Sequence, residues 1–160
     1  INTVTFKNFS LTAQLYSSWG GQIFEPNGNV QNDNGYRRTR DYSNTSKYVY
    51  DNRWQQPGDI TNVPKYVYGN SLSSNQTSRW LHDGSYVRLK RVELAYTFSN
   101  KMLQNSFIDR LRLHVSGDNL WTSIKDDTLT NDPEMAGITG TASFNNPISK
   151  TIYFGLNVTF

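Results

Sequence analysis

From Lys150 to Phe160 the chain alternates strictly, with Ile152, Phe154, Leu156, Val158 and Phe160 in one phase and Thr151, Tyr153, Gly155, Asn157 and Thr159 in the other. A period of two marks a β-strand with one apolar face. An apolar face that runs to a terminal Phe fits the closing strand of a transmembrane barrel, its last ring in the interfacial girdle. It also fits the last strand of a soluble sandwich, and this strand alone does not choose.

The same period returns three times upstream. Over 4–22, Phe9, Leu11, Ala13, Leu15 and Trp19 oppose Ser10, Thr12, Gln14, Tyr16 and Ser18, with Ser17 interrupting and Gly20-Gly21 loosening the end. Over 84–98, Val92, Leu94, Tyr96 and Phe98 continue the phase of Arg88 and Lys90, against Leu89, Arg91, Glu93, Ala95 and Thr97. Over 108–121, Leu111, Leu113, Val115, Gly117 and Trp121 oppose Arg110, Arg112, His114, Ser116 and Asp118. The pattern thus predicts an all-β chain of four antiparallel strands at 4–22, 84–98, 108–121 and 150–160. In a barrel, Arg88 and Lys90 are expected on the lipid side but high, near the head-groups, where an exposed cation costs roughly 0–1 rather than 2–4 kcal/mol.

The connections run long, short, long. Residues 23–83 carry turn chemistry at Asn27-Gly28, Asn34-Gly35, Pro57-Gly58-Asp59 and Gly69-Asn70, and no element is predicted there. Only Lys47–Tyr50 suggests a short strand or helix. Residues 99–107 form a brief polar turn and 122–149 a second long loop. Such loops count against a compact soluble domain but match the long outer and short inner connections of outer-membrane barrels. Four strands cannot close a barrel, and open edges are forbidden in hydrocarbon. The membrane reading therefore predicts a piece of a larger barrel, or one protomer of a shared one.

Composition sharpens the picture in places. Hydrophobic residues make up 36% and aromatics 14%, a polar average with strong local alternation that suits β-architecture. No run approaches eighteen apolar residues, which excludes a transmembrane helix and leaves a barrel open. Cysteine is absent, so disulfides and thiolate metal sites are excluded. Net charge is +3, and the basic cluster Arg37, Arg38 and Arg40 sits among Asn, Gly and Tyr, which favours a solvated loop over a nucleic-acid patch. The chain opens on Ile1 with no signal pattern, so residue 1 is not expected to begin the gene product.

The stretch Trp80-Leu-His-Asp-Gly-Ser-Tyr-Val-Arg-Leu-Lys-Arg-Val-Glu-Leu-Ala-Tyr-Thr-Phe98 resembles the C-terminal region of SusC/RagA-type TonB-dependent transporters of Bacteroidetes outer membranes. Leu111–Trp121, Asp132-Pro133-Glu134 and Thr151–Phe160 match later blocks of that region in order, and Phe6–Leu11 and Trp54–Pro64 resemble earlier ones. The resemblance implies the final four of about 22 barrel strands, with 23–83 and 122–149 as outer loops, 99–107 as a periplasmic turn, and plug and TonB box lying outside this chain. It further implies import of oligosaccharides or peptides with TonB-derived energy beneath a SusD-like lipoprotein lid. The partners implied are the remaining barrel and plug, that lid, TonB, outer-membrane lipid, and a glycan or peptide substrate.

Candidate site residues fall into three groups. Tyr153, Gly155, Val158 and Phe160 fit an outer-membrane assembly signal, a strand read as an unsatisfied edge, against the plainer reading of an ordinary edge strand. Arg91, Glu93, Arg110, Arg112, His114 and Asp118 would face the lumen, to meet substrate or plug, or simply to form a polar wall with internal ion pairs. Tyr48, Tyr50, Trp54, Tyr66, Tyr68 and Trp80 could stack on a ligand or pack against a lid, or else fold the loop on itself. Asp126, Asp127, Asp132 and Glu134 lack the spacing of a calcium loop, and Asp132-Pro-Glu134 reads as a turn. His82 and His114 lie in different elements and no nucleophile or phosphate motif appears, so no enzyme, metal or cofactor is expected. The rival reading is a soluble secreted β-sandwich that binds carbohydrate through exposed aromatics. The two differ on whether Leu94, Leu113, Leu156 and Phe160 point outward or into a closed core.

Overall fold

The computed structural model describes residues 1–26, 28–36, 44–104, 106–143 and 145–160. Asn27, Tyr42 and the Arg37, Arg38 and Arg40 cluster lie outside the described residues. The chain is all-β and antiparallel, with only short helices. It divides into two compact units, one made of residues 1–19, 85–125 and 148–160, the other of 20–84 and 126–147.

The first unit is a five-stranded sheet in the order β1-β2-β5-β6-β7, built from β1 (Asn2–Phe6), β2 (Phe9–Ser18), β5 (Tyr86–Thr97), β6 (Arg110–Ile124) and β7 (Thr151–Thr159). The expected strand at 4–22 is corrected here. Phe6 pairs with Phe9 across a two-residue turn at Lys7-Asn8, so β1 folds back on β2 and adds a fifth strand. The turn needs a positive φ, which Lys7 supplies at 52° without the Asn-Gly signature that announces such hairpins. The Asn8 side chain ties it to β5, its Nδ2 donating to the Thr97 carbonyl at 2.7 Å. Beyond Gly20 the chain leaves the sheet altogether and enters the second unit.

The expected position of Arg88 and Lys90 is also corrected. Gln14 pairs with Arg91 but Leu15 pairs with Leu89, which leaves Lys90 as an extra residue in β5. Opposite it in β6, Arg91 meets Asp118 and Leu89 meets Trp121, with Asn119 at φ 55°. A bulge turns the strand's phase. Leu89 therefore joins Leu15 and Trp121 on the apolar face, while Arg88 joins Tyr16 and Thr122 on the polar one. Lys90 Nζ stands 5.3 Å over the Tyr16 ring, and Arg88 Cζ lies 5.5 Å from that of Tyr86. Neither cation remains among the apolar side chains.

With the bulge included, one face is apolar in row after row: Phe6, Phe9, Tyr96, Leu113 and Leu156; then Val4, Leu11, Leu94, Val115 and Phe154; then Leu15, Leu89 and Trp121. Nothing among the described residues closes over it. Leu94, Leu113, Leu156 and Phe160 are 46, 45, 59 and 74% exposed. A sandwich would bury them, so the sandwich reading is not favoured. The ten steps of β6 from Leu111 to Trp121, at about 3.3 Å each and tilted near 45°, cover roughly 23 Å, close to the ~25 Å apolar band of an outer-membrane barrel.

The second unit has its own core of Ile23, Val49, Val63, Trp80, Leu129, Ala136 and Ala142. Around it lie the two-stranded sheet of β3 (Gln22–Phe24) and β4 (Leu81–Asp83), short helices α1 (Gly28–Gln31) and α2 (Lys47–Asn52), and a 3₁₀ segment at Pro133–Thr139. The last helix, α3 (Asn100–Leu103), lies in the short connection of the first unit. Helix α2 falls where patterning left an undecided element, and Ser46 caps it by accepting from the Val49 amide. Gly28 is required where it stands, because a Cβ there would meet the Trp80 ring at 2.6 Å. Buried Asn34 fastens the segment, its Nδ2 donating to the Pro64 carbonyl at 2.5 Å and its Oδ1 accepting from Arg79 Nη1 at 2.7 Å. The stretch that reads as loop in the sequence is a folded loop unit.

Candidate functional site

On the polar face of the sheet, the register sets oppositely charged residues side by side. Arg91 meets Asp118, and Arg112 reaches Glu93 from two rows away, past the Ala95–His114 row. Arg112 Nη2 donates to Glu93 Oε1 at 2.5 Å, and Arg91 Nε sits 3.7 Å from Asp118 Oδ1. Two acids and two bases are thus neutralised within the wall. Arg110 lies exposed at the far end of β6 opposite Thr159, and His114 is flanked by Ala95 and Gly155. The six expected lumen residues share one face, and the arrangement favours an ion-paired polar wall.

The terminal strand divides its four candidates between faces. Tyr153 and Gly155 pair with Ser116 and His114 on the polar side, while Val158 pairs with Leu111 on the apolar side. Phe160 stacks on Phe107, centroids 5.7 Å apart and planes 10° from parallel. The His114 ring occupies the space above Gly155, where a Cβ would stand 2.1 Å from its Cε1. A glycine that alternation marks only as a gap is the seat of an imidazole.

In the loop unit the six aromatics do not form one surface. Trp80 is 3% exposed and its indole N–H donates to the Asn75 carbonyl at 2.9 Å, so it is core rather than a ligand contact. Tyr48 faces a polar cleft of about 210 Å³ shared with Asn32, Ser46, Asp127, Thr128 and Thr130. Tyr50 and Tyr66 line a more apolar cleft of about 290 Å³ with Thr45, Val49 and Arg53, whose guanidinium stacks 4.3 Å from the Tyr50 ring. Trp54 lies under Lys65 Nζ at 5.8 Å, and Tyr68 is exposed apart from both clefts.

A third cluster, centred on Glu25 and His82, has no counterpart among the sequence motifs. The Glu25 side chain is 1% exposed. Its Oε1 accepts from the Thr130 hydroxyl at 2.6 Å, the Asn131 amide at 3.0 Å and the Asn131 side chain. Its Oε2 lies 3.6 Å from His82 Nε2. On the other side of the ring, His82 Nδ1 lies 3.1 Å from Thr128 Oγ1 and 3.3 Å from Asp126 Oδ2. Burial pushes the Asp126 carboxyl up, but hydrogen bonds from the Thr128 hydroxyl and amide and the Asp83 amide, with the nearby His82 ring, hold it below the ordinary aspartate range. Burial pulls the Arg79 guanidinium below its ordinary value, against the raising influence of Tyr48 and Asp33. Separations of 44 and 57 residues leave no local motif that would reveal this cluster from sequence. Asp132, by contrast, acts as the turn its motif suggests, Oδ1 accepting from the Glu134 amide at 3.0 Å.

No family model matches the chain. Over 46 residues, 29% of this chain and 5% of its relative, it is 46% identical to TonB-dependent receptor P3 of Formosa agariphila. Its fold is that of a segment of the RagAB peptide importer. It superimposes on the closed-closed state with a TM-score of 0.79 and 25% identity, covering 98% of this chain and 16% of that one. A second RagAB transporter structure matches at 0.78 and 24%, over 96% of this chain. The chain therefore spans about a sixth of the structures it resembles. With its uncovered apolar face, ion-paired polar face and folded loop unit, the chain resembles a barrel-wall segment of the SusC/RagA-like TonB-dependent transporters.

Proposed function

We propose that this segment forms wall and outer loops of an outer-membrane importer that takes up oligosaccharides or peptides with TonB-derived energy beneath a SusD-like lipoprotein lid. The observation that carries the reading is the sheet's division into an uncovered apolar face of barrel height and a polar face on which Arg91 pairs with Asp118 and Arg112 with Glu93. Water-soluble folds cover such a face, and lipid needs no other cover. The loop unit (20–84 and 126–147) is then the outer portion, and 99–107 the periplasmic turn. Arg91, Glu93, Arg110, Arg112, His114 and Asp118 line the lumen toward plug and substrate, and Tyr153, Gly155, Val158 and Phe160 present the closing strand to the assembly machinery. Exposed Tyr50 and Tyr68 suit contact with ligand or lid.

The test is extraction and uptake of the full-length polypeptide. It is expected in the outer-membrane fraction, released only by detergent, and its deletion is expected to abolish TonB-dependent uptake of an oligosaccharide or peptide. A protein that stays monomeric in buffer without detergent would overturn the reading.

A further inference from the structure

We infer that the polar cleft beside α2, lined by Asn32, Ser46, Tyr48, Asp127, Thr128 and Thr130, is a subsite for one uncharged pyranose ring of a saccharide. The inference rests on the importer reading and names its substrate class. Its size comes first: about 210 Å³ is below the roughly 300–1,000 Å³ of pockets that enclose a drug-sized ligand, so it suits a single ring of a longer chain.

The direction of the hydrogen bonds then sets the chemistry. Ser46 Oγ donates to Asn32 Oδ1 at 2.5 Å, Thr128 Oγ1 donates to Asp126 Oδ1 at 2.5 Å, and Thr130 Oγ1 donates to Glu25 Oε1 at 2.6 Å. Each hydroxyl has one proton and two lone pairs. With all three protons directed at other side chains, these hydroxyls can offer a ligand only lone pairs, of which Ser46 already gives one to the Val49 amide and Thr128 Oγ1 has His82 Nδ1 at 3.1 Å. The Asp127 carboxylate adds acceptors. The cleft thus sets hydroxyl and carboxylate acceptors beside two donor groups, the Asn32 amide and the Tyr48 hydroxyl, and calls for a ligand that both donates and accepts, as the hydroxyls of a sugar do. Carboxylated or sulfated rings bring negative charge to the same acceptors and are disfavoured. Tyr48, 40% exposed, supplies an apolar ring face with a polar tip, suited to the C–H face of a pyranose. A peptide ammonium could satisfy Asp127, but that carboxylate is exposed and an exposed ion pair contributes little. The ring and the spread of acceptors favour the sugar.

The experiment takes the full-length protein in detergent, with Tyr48→Ala, Tyr48→Phe and Asp127→Asn variants, over immobilised neutral, uronate-containing and sulfated oligosaccharides and a set of hexapeptides. Neutral oligosaccharides are expected to be retained. Tyr48→Ala should weaken them up to about tenfold, the scale of a lost ring contact. Tyr48→Phe should largely preserve binding and so control for folding, and Asp127→Asn should narrow the discrimination against anionic glycans. Retention of peptides alone, of anionic glycans alone, of no probe, or of neutral glycans equally by Tyr48→Ala would overturn the subsite. A detergent-dependent protein that retains only peptides overturns the sugar assignment while leaving the importer reading standing.

Discussion

At Gly155 a missing side chain and a neighbouring ring explain each other. The His114 imidazole fills the position that any Cβ at 155 would take, so Gly155→Ala forces the ring or the strand to move. Overpacking of this kind costs about 1–3 kcal/mol. The expected result is a lower urea midpoint for the folded barrel, recovered when His114→Ala is added. If the double variant remains as impaired as the single one, the glycine serves recognition during assembly and not room for the ring. Asp126 makes a second prediction at this scale. Its carboxyl is held below the ordinary aspartate range by Thr128 and Asp83, so the stabilisation it gives is complete above the unfolded value near 3.9 and lost as pH falls through the folded one. Asp126→Asn should therefore loosen the amides of Thr128 and Asp83 at neutral pH, as read by hydrogen exchange. That difference should fade below about pH 4. A difference unchanged into strong acid would refute the role given to the carboxylate.

Among the elements, the bulge at Lys90 decides where two cations go. Strict alternation through β5 sends Arg88 to the lipid side; one extra residue sends it to the polar side beside Tyr86 and Tyr16. Deleting Lys90 restores uninterrupted alternation and should drive Arg88 into the apolar face, at up to about 2–4 kcal/mol if it reaches the midplane. Lys90→Ala keeps the extra residue and should assemble normally. The comparison is read from the fraction of folded, heat-modifiable barrel in membranes, and equal fractions for the two variants would refute the bulge's role. This element also marks what could be read in advance. Periodicity located β5, β6 and β7 to within a few residues because each buries or exposes every second side chain. It could not locate the β1–β2 turn, where Lys7 takes a positive φ without glycine, nor the bulge, which depends on register with two partner strands. Of the candidate site, the polar-face residues were legible from phase alone. Whether Trp80 packs inside the loop or faces a ligand was not legible because its burial depends on Gly28 and Asn75, and Glu25 was invisible because its hydrogen-bond donors lie more than a hundred residues away.

For the whole molecule, the two units obey different rules. The sheet displays an apolar face and pairs two acids with two bases on the other, whereas the loop unit encloses an apolar core and even buries an acid. A single polypeptide thus carries one surface shaped for hydrocarbon and one domain built as soluble proteins are. Inside that domain, Glu25 and His82 come from the segment that follows β2, while Asp126, Thr128, Thr130 and Asn131 come from the segment that follows β6. The two segments are consequently one heritable part. A graft that moves residues 20–84 into a related barrel without residues 126–147 would carry a buried carboxylate away from the donors that satisfy it. Any transfer of this loop unit into a related barrel, by recombination or at the bench, must move both segments together.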